Sequence, residues 1–348
     1  MPRPSRVALF VVVGLLALSG LLVGAELAYR ERVGDAVRIR FYRHARLRRA
    51  MVRDVDYNGV VHINRLGFRG PDFDPEKPMG TTRVVVVGAS TTFDPCARND
   101  AETWPARLEH WLEQLAPGRS FQVVNAGVSG FPMIEQVIRL QTELYALEPD
   151  VIVVYAGHGI VSAADAQLEQ ESDPHTPDAA PVATPWDVWL REHSRLYERL
   201  RPHGEVRRDA RLDDAQWARA VENASAAFER DLRAFVLVAR GMGAEVFLAE
   251  INRVTGAREP SQFSAEERAK WQRLFATPPE VVFEGYRRFL ETWQSVANSA
   301  DATFIPERSI AITGPEHFCT GDPIHFNTAG AEAMGRRLAE QLIASGKL

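Results

Sequence analysis

Apolar positions along this chain follow two alternating periods, and the alternation sets in from residue 83. Arg83 to Val87 (RVVVV) is a β-branched run of the kind buried inside a parallel sheet, and it stops at Gly88. Trp104, Leu108, Trp111, Leu112 and Leu115 then recur at helical spacing. The unit repeats, predicting strands over 121–124, 151–155, 245–248 and 303–305 and helices over 132–147, 217–240, 280–300 and 328–344. Strands alternating with helices imply parallel pairing through right-handed crossovers, hence an α/β, three-layer, doubly wound five-stranded sheet. Ligands of such sheets bind beyond the carboxyl ends of the strands.

Ahead of this body, Val7 to Ala25 (VALFVVVGLLALSGLLVGA) carries no charge. At about 1.5 Å per residue it nearly matches a bilayer's hydrocarbon core, so residues 1–28 read as an N-terminal transmembrane helix anchoring the chain in lipid. Arg3, Arg6 and the small residues Val23-Gly24-Ala25 also fit a cleaved signal peptide, for which the apolar run is long. Residues 29–80 form an Arg-rich stalk and lead-in. Its arginines, from Arg30 to Arg49, would hold the body in the cytoplasm by positive-inside counting; they equally suit an anionic membrane surface or a solvated stalk. Residues 57–80, rich in Gly, Pro and Asp, suggest turns around a short hairpin.

Residues 81–348 make up the body, with an insertion at about 160–215. The segment EQESDPHTPDAAPVATP has the composition of a mobile loop, and Trp186 to Leu200 looks helical. A loop this long is usually functional or disordered, and this one is expected to hang over the active-site end. Its Trp186, Trp189 and Tyr197 fit either a cleft lining or the apolar face of a short helix. With 45% apolar and 25% charged residues in 348, the chain has the balance of a folded body, and a net charge of -5 gives no reason to expect nucleic acid.

Two places can carry chemistry. Ser90, in VVVVGASTTFD, follows a buried strand and a glycine, which sets its hydroxyl at the rim of the sheet beside a helix start. A serine there also serves as an N-cap. Asp322 and His325, in GDPIHFNTAG before the last helix, are spaced so that the carboxylate reaches the imidazole nitrogen facing away from a serine; a helix-leading Asp beside a surface His is the plainer reading.

Taken together, GAST (Gly88 to Thr91), NAG (Asn125 to Gly127), YAGH (Tyr155 to His158) and DPIH (Asp322 to His325) resemble the ordered blocks of SGNH (GDSL-like) serine hydrolases. The likeness runs from about Val84 to Leu342, and INRLGFRG (Ile63 to Gly70) is similar to the lead-in of membrane-anchored, extracytoplasmic members. The resemblance implies a flavodoxin-like SGNH fold and a triad of Ser90, His325 and Asp322. It implies an oxyanion hole using the N–H groups of Ser90 and Gly127, and ester hydrolysis through an acyl-serine with no metal or organic cofactor. The implied location is periplasmic or otherwise extracytoplasmic. The implied partners are an acylated envelope polysaccharide or lipid, with acetyl as the candidate acyl group, and envelope biosynthesis proteins.

One block departs from the family pattern. Its third block ordinarily ends in an asparagine that donates to the oxyanion, and Gly159 stands at that position. Losing one such donor costs roughly 100- to 1000-fold in rate. A slow esterase, an acyltransferase and a binding scaffold all remain compatible with that change. His158 or Asn252 could compensate, while their plainer roles are loop residue and turn former. Asp94, close to Ser90 in sequence, could repel anionic substrates, its plainer reading being a solvated loop acid, and Thr91 and Thr92 read as helix caps. The motifs place Cys96 and Cys319 in loops at one end of the sheet, where they either stay as thiols or, in an oxidising compartment, form one bridge.

Overall fold

A computed structural model describes residues 6–33, 39–47, 49–156, 214–252, 279–320, 322 and 324–348, with isolated positions at 194, 196, 197, 261, 263–266, 268 and 269. The chain divides into two units, Met1–Arg38 with Asp173–Leu212, and Ile39–Ser172 with Asp213–Leu348.

In the first unit, α1 (Arg6–Val33) is a helix of 28 residues on which Phe10, Leu16, Leu21, Leu22 and Leu27 are exposed. The Glu26 carboxylate accepts the Ser194 hydroxyl at 2.8 Å and the Leu196 N–H at 2.9 Å, so part of the insertion pairs with this helix. Judged on the described residues, no helix is long and apolar enough to cross a membrane. Tyr197 is helical, as expected, while Trp186, Trp189 and most of the insertion lie outside the described residues.

The second unit opens with two small antiparallel pairs, β1 (Phe41–Tyr42) with β2 (Ala50–Met51) and β3 (Val55–Tyr57) with β4 (Val61–Ile63). The lead-in then joins the main sheet through an antiparallel bridge between Arg69 and Asn125. That sheet contains β5 (Thr81–Gly88), β6 (Ser120–Gly127), β7 (Val151–Tyr155), β8 (Glu245–Ala249) and β9 (Thr303–Ile305), all parallel, in the order β6-β5-β7-β8-β9. This is the doubly wound order with its switch point at β5 and β7, where ligands of such sheets sit. Val84 to Val87 and Ile152 to Val154 are fully buried, as strands covered by helices on both faces require.

Helices α2 (Ser90–Phe93), α3 (Trp104–Leu115), α4 (Met133–Thr142), α5 (Asp214–Gly241), α6 (Pro279–Ser299), α7 (Glu307–Ile310) and α8 (Thr328–Ala344) complete the unit. α3 packs on α8, while α5 packs on α4 and α6, giving the three layers. Several boundaries differ from expectation; β6, expected over 121–124, runs from Ser120 to Gly127. β5 begins at Thr81, before the valine run, because Thr81 and Thr82 pair in register with Ser120 and Phe121 of β6. The helix expected to Leu147 ends at Thr142 and tightens into a 3-10 turn, Leu144–Leu147, closed by Glu148 at φ 47°.

Candidate active site

The last rung of the sheet builds the nucleophile's seat. Gly88 pairs with Gly127 on one side and Tyr155 on the other, and α2 sits directly on this rung. A Cβ on Gly88 would lie 2.1 Å from the Tyr155 carbonyl oxygen, and one on Gly127 would lie 2.3 Å from the Phe93 nitrogen, so only glycine lets the turn approach this closely. The Thr92 hydroxyl donates to the Tyr155 carbonyl at 2.9 Å, and the Trp104 indole N–H donates to the Thr91 carbonyl at 2.8 Å. Ala89, not a threonine, is the N-cap of α2; Thr92 instead bolts the helix to β7, correcting the capping expectation. Ser90 is thereby half-buried at the rim, and as the first helical residue its N–H has no intrahelical acceptor.

The partners come from the loop before α8. His325 Nε2 lies 2.9 Å from Ser90 Oγ, and His325 Nδ1 lies 2.6 Å from Asp322 Oδ2. With the imidazole proton on Nδ1, donating to the carboxylate, Nε2 is left to accept the serine proton. The second Asp322 oxygen accepts the N–H groups of Ile324 at 2.9 Å and His325 at 3.2 Å. Burial alone would raise the Asp322 pKa, but the hydrogen bond and charge of His325, with those two backbone donors, hold it below the ordinary carboxylate value. The three residues singled out from sequence thus form a hydroxyl, imidazole and carboxylate relay.

Other expected residues fall differently. Gly127 borders α2, but its N–H donates to Asn125 Oδ1 at 3.1 Å, so in this structure it is not presented as an oxyanion donor. The reason is register: Gly127 still belongs to β6, and the chain turns away only after Val128, whose N–H goes to the Gly88 carbonyl. Asn252 is buried and committed. Its Oδ1 accepts the Ile312 N–H at 2.6 Å, and its amide nitrogen faces Tyr155 Oη at 3.5 Å and Met334 Sδ at 3.6 Å. His158 and Gly159 lie outside the described residues. Cys96 and Cys319 form a disulfide. Among the described residues no cluster of three His, Cys, Asp or Glu side chains could hold a metal ion.

Asp94 is no solvated acid. It is 1% exposed and left-handed at φ 63°, and its Oδ2 accepts the Trp104 N–H at 2.9 Å. Burial pushes its pKa up to about 7 against the opposing pull of the Trp104 N–H and the Arg69 and His325 charges. Sequence reasoning also passed over Arg69, Gln136 and Arg139. The buried Arg69 pairs with Asp100 at 2.7 Å and donates to the carbonyls of Phe93 and Asp94 at 2.9 and 2.6 Å. Gln136 donates to the Gly88 carbonyl and Arg139 to the Ala126 carbonyl. The one signal for Arg69 is its place in the INRLGFRG block; an amphipathic helix gives none for Gln136 or Arg139.

No family model matches the chain. No curated protein matches it. Among solved structures it is similar to a lipolytic protein of the G-D-S-L family from Desulfitobacterium hafniense DCB-2, at 15% identity and TM-score 0.44, covering 74% of this chain and 98% of that one. It is also similar to an acetylxylan esterase from Geobacillus stearothermophilus, a catalytic mutant, at 13% identity and TM-score 0.45, covering 75% and 94%. The structure of TesA is similar at 16% identity and TM-score 0.45, covering 77% and 100%. Identities this low, with TM-scores under 0.5, leave the chemistry to be argued from the geometry of Ser90, His325 and Asp322 alone.

Proposed function

We propose that this chain is a serine esterase of the SGNH kind, anchored in a membrane through residues 7–25, that removes an acyl group from an envelope polysaccharide or lipid outside the cytoplasm. The observation that carries the reading is the continuous relay from Ser90 Oγ through His325 to Asp322, at 2.9 and 2.6 Å. Ser90 Oγ attacks the ester carbonyl as its proton passes to His325 Nε2, and Asp322 stabilises the imidazolium. The tetrahedral oxyanion takes the Ser90 N–H. Collapse releases the alcohol with the proton from His325, and a water deprotonated by the same imidazole hydrolyses the acyl-serine.

The anchored, extracytoplasmic setting is supported by the uncharged run of residues 7–25, by the exposed leucines of α1, and by a disulfide, which persists in oxidising compartments. An acetyl ester is the acyl group that the family resemblance favours. A second reading, acyl transfer to a sugar hydroxyl or a catalytically weak scaffold, draws on two observations: Gly159 has no side chain to donate, and the Gly127 N–H is already held by Asn125.

The decisive experiment compares wild type with Ser90→Ala on a short-chain aryl ester and with a fluorophosphonate probe. Turnover and labelling that both depend on Ser90 support the esterase; equal rates with no labelling favour the scaffold. Product analysis with and without a sugar acceptor separates hydrolysis from transfer.

A further inference from the structure

The Cys96–Cys319 bridge ties the two halves of the relay to each other. Ser90 and His325 are 235 residues apart along the chain. Cys96 follows Ser90 by six residues and Cys319 precedes His325 by six, so the bridge replaces the long route with about a dozen residues.

Both short arms are well fixed near the sulfurs. On the nucleophile side, the Asp94 N–H donates to the Ser90 carbonyl at 2.8 Å and the Ala97 N–H to the Asp94 carbonyl at 3.2 Å, so Cys96 sits in the turn that directly follows the one closed by Ser90. On the base side, the Cys319 N–H donates to the His325 carbonyl at 3.0 Å, and the Asp322 N–H donates to the Cys319 carbonyl at 2.9 Å. Cys319 therefore holds the backbone of both relay partners.

The loop's other end is fixed by different means. Phe318 and Phe326 pair as an antiparallel bridge, Asn327 caps α8, and Gly330 is packed so tightly that a Cβ would meet the His317 carbonyl oxygen at 2.1 Å. α8 locates where the loop ends. The Cys96–Cys319 bond adds a covalent tie between Cys319, whose N–H holds the His325 carbonyl, and the turn after Ser90.

We propose that the Cys96–Cys319 disulfide is a positioning element for the relay, setting His325 and Asp322 at reacting distance from Ser90, so that activity depends on the bridge being oxidised. This rests on the serine esterase reading. Reduction by a dithiol such as dithiothreitol delivers two electrons and two protons to the sulfurs, giving two thiols and the cyclic disulfide of the reductant. Displacements on the scale of 1 Å at a reacting centre cost on the order of 100-fold, which sets the size of the effect.

The test uses the full chain in detergent, before and after dithiothreitol, beside the Cys96→Ser, Cys319→Ser double variant. Once two thiols titrate, kcat on p-nitrophenyl acetate is expected to fall about 10- to 100-fold with KM little changed and the near-ultraviolet dichroism retained. The double variant shows the same loss and no further response to the reductant. The low-field proton resonance of the His325 Nδ1–H, which needs no turnover, is expected to broaden or vanish on reduction. Unchanged kcat with two titrated thiols, a loss that merely follows unfolding, or an unshifted resonance in the reduced folded chain each overturns the proposal. Failure of the esterase reading looks different: untreated wild type matches Ser90→Ala in turnover and labelling while the resonance still responds to reduction.

Discussion

Asp94 Oδ2 accepts the Trp104 N–H at 2.9 Å, so a buried carboxyl directly behind the nucleophile turn holds the first N–H of the helix that Thr103 caps. Its pKa of about 7 stands above the ordinary carboxylate value of about 3.9. Between those two values the native protein holds a proton that the unfolded chain has lost. Stability therefore falls as pH rises through this window, by at most about 4 kcal/mol. Asp94→Asn keeps an acceptor for Trp104 and a residue type that tolerates left-handed backbone, so it is expected to match wild type near pH 4 and exceed it at pH 8. Denaturant unfolding across that range checks this; parallel curves for the two proteins count against it.

Asp322→Asn removes the acceptor that keeps the imidazole proton on Nδ1. The expected loss is on the order of 1,000- to 10,000-fold in kcat with KM nearly unchanged. Because the native carboxyl titrates below its ordinary value, the stability contributed by its ionised form is present above that value and is lost as pH falls through the native one. An acid-unfolding midpoint that moves upward in the variant is the accompanying readout.

Gly127→Ala would drive a methyl group to 2.3 Å from the Phe93 nitrogen and 2.7 Å from the Thr92 carbonyl carbon. Backbone cannot yield as a flexible side chain does, so α2 must shift and carry Ser90 with it. Overpacking of this kind costs about 1–3 kcal/mol. A melt together with fluorophosphonate labelling tests both consequences, and normal stability with normal labelling rate contradicts the seat assigned to this glycine.

Arg69→Met takes the buried guanidinium away from the Phe93 and Asp94 carbonyls and from the half-buried Asp100 carboxylate, which keeps the His62 N–H. Leaving buried acceptors unsatisfied costs roughly 1–3 kcal/mol. Arg69→Lys rescues little, since an ammonium cannot span acceptors laid out for a planar fork. Urea midpoints of the two variants against wild type decide between this bolt and an incidental surface pair.

Gly159→Asn restores the side chain that the family resemblance places at the oxyanion. If that donor limits the rate, kcat is expected to rise by up to roughly 100-fold. An unchanged or lower rate removes the missing donor as the explanation for weak activity.

The sheet was legible because burial on both faces demands an unbroken apolar strand, and RVVVV and VIVVY supply it; the helices were legible because one-sided burial imposes helical spacing on Trp104, Leu108 and Leu112. Ser90, Asp322 and His325 were legible as candidates, since each stands at a strand end or a helix start with the chemistry its neighbours require. Their convergence was not, because distances across 235 residues are set by how β5 and α8 pack and by no local rule. The same limit explains the misreadings. Whether Asp94 is solvated, where the Gly127 N–H points, and what holds Asn252 depend on Trp104, Asn125 and Ile312, residues brought near by the fold. Periodicity determined which elements form, while packing alone decided which polar groups met, because a hydrogen bond is won or lost over a few tenths of an ångström that sequence spacing does not specify.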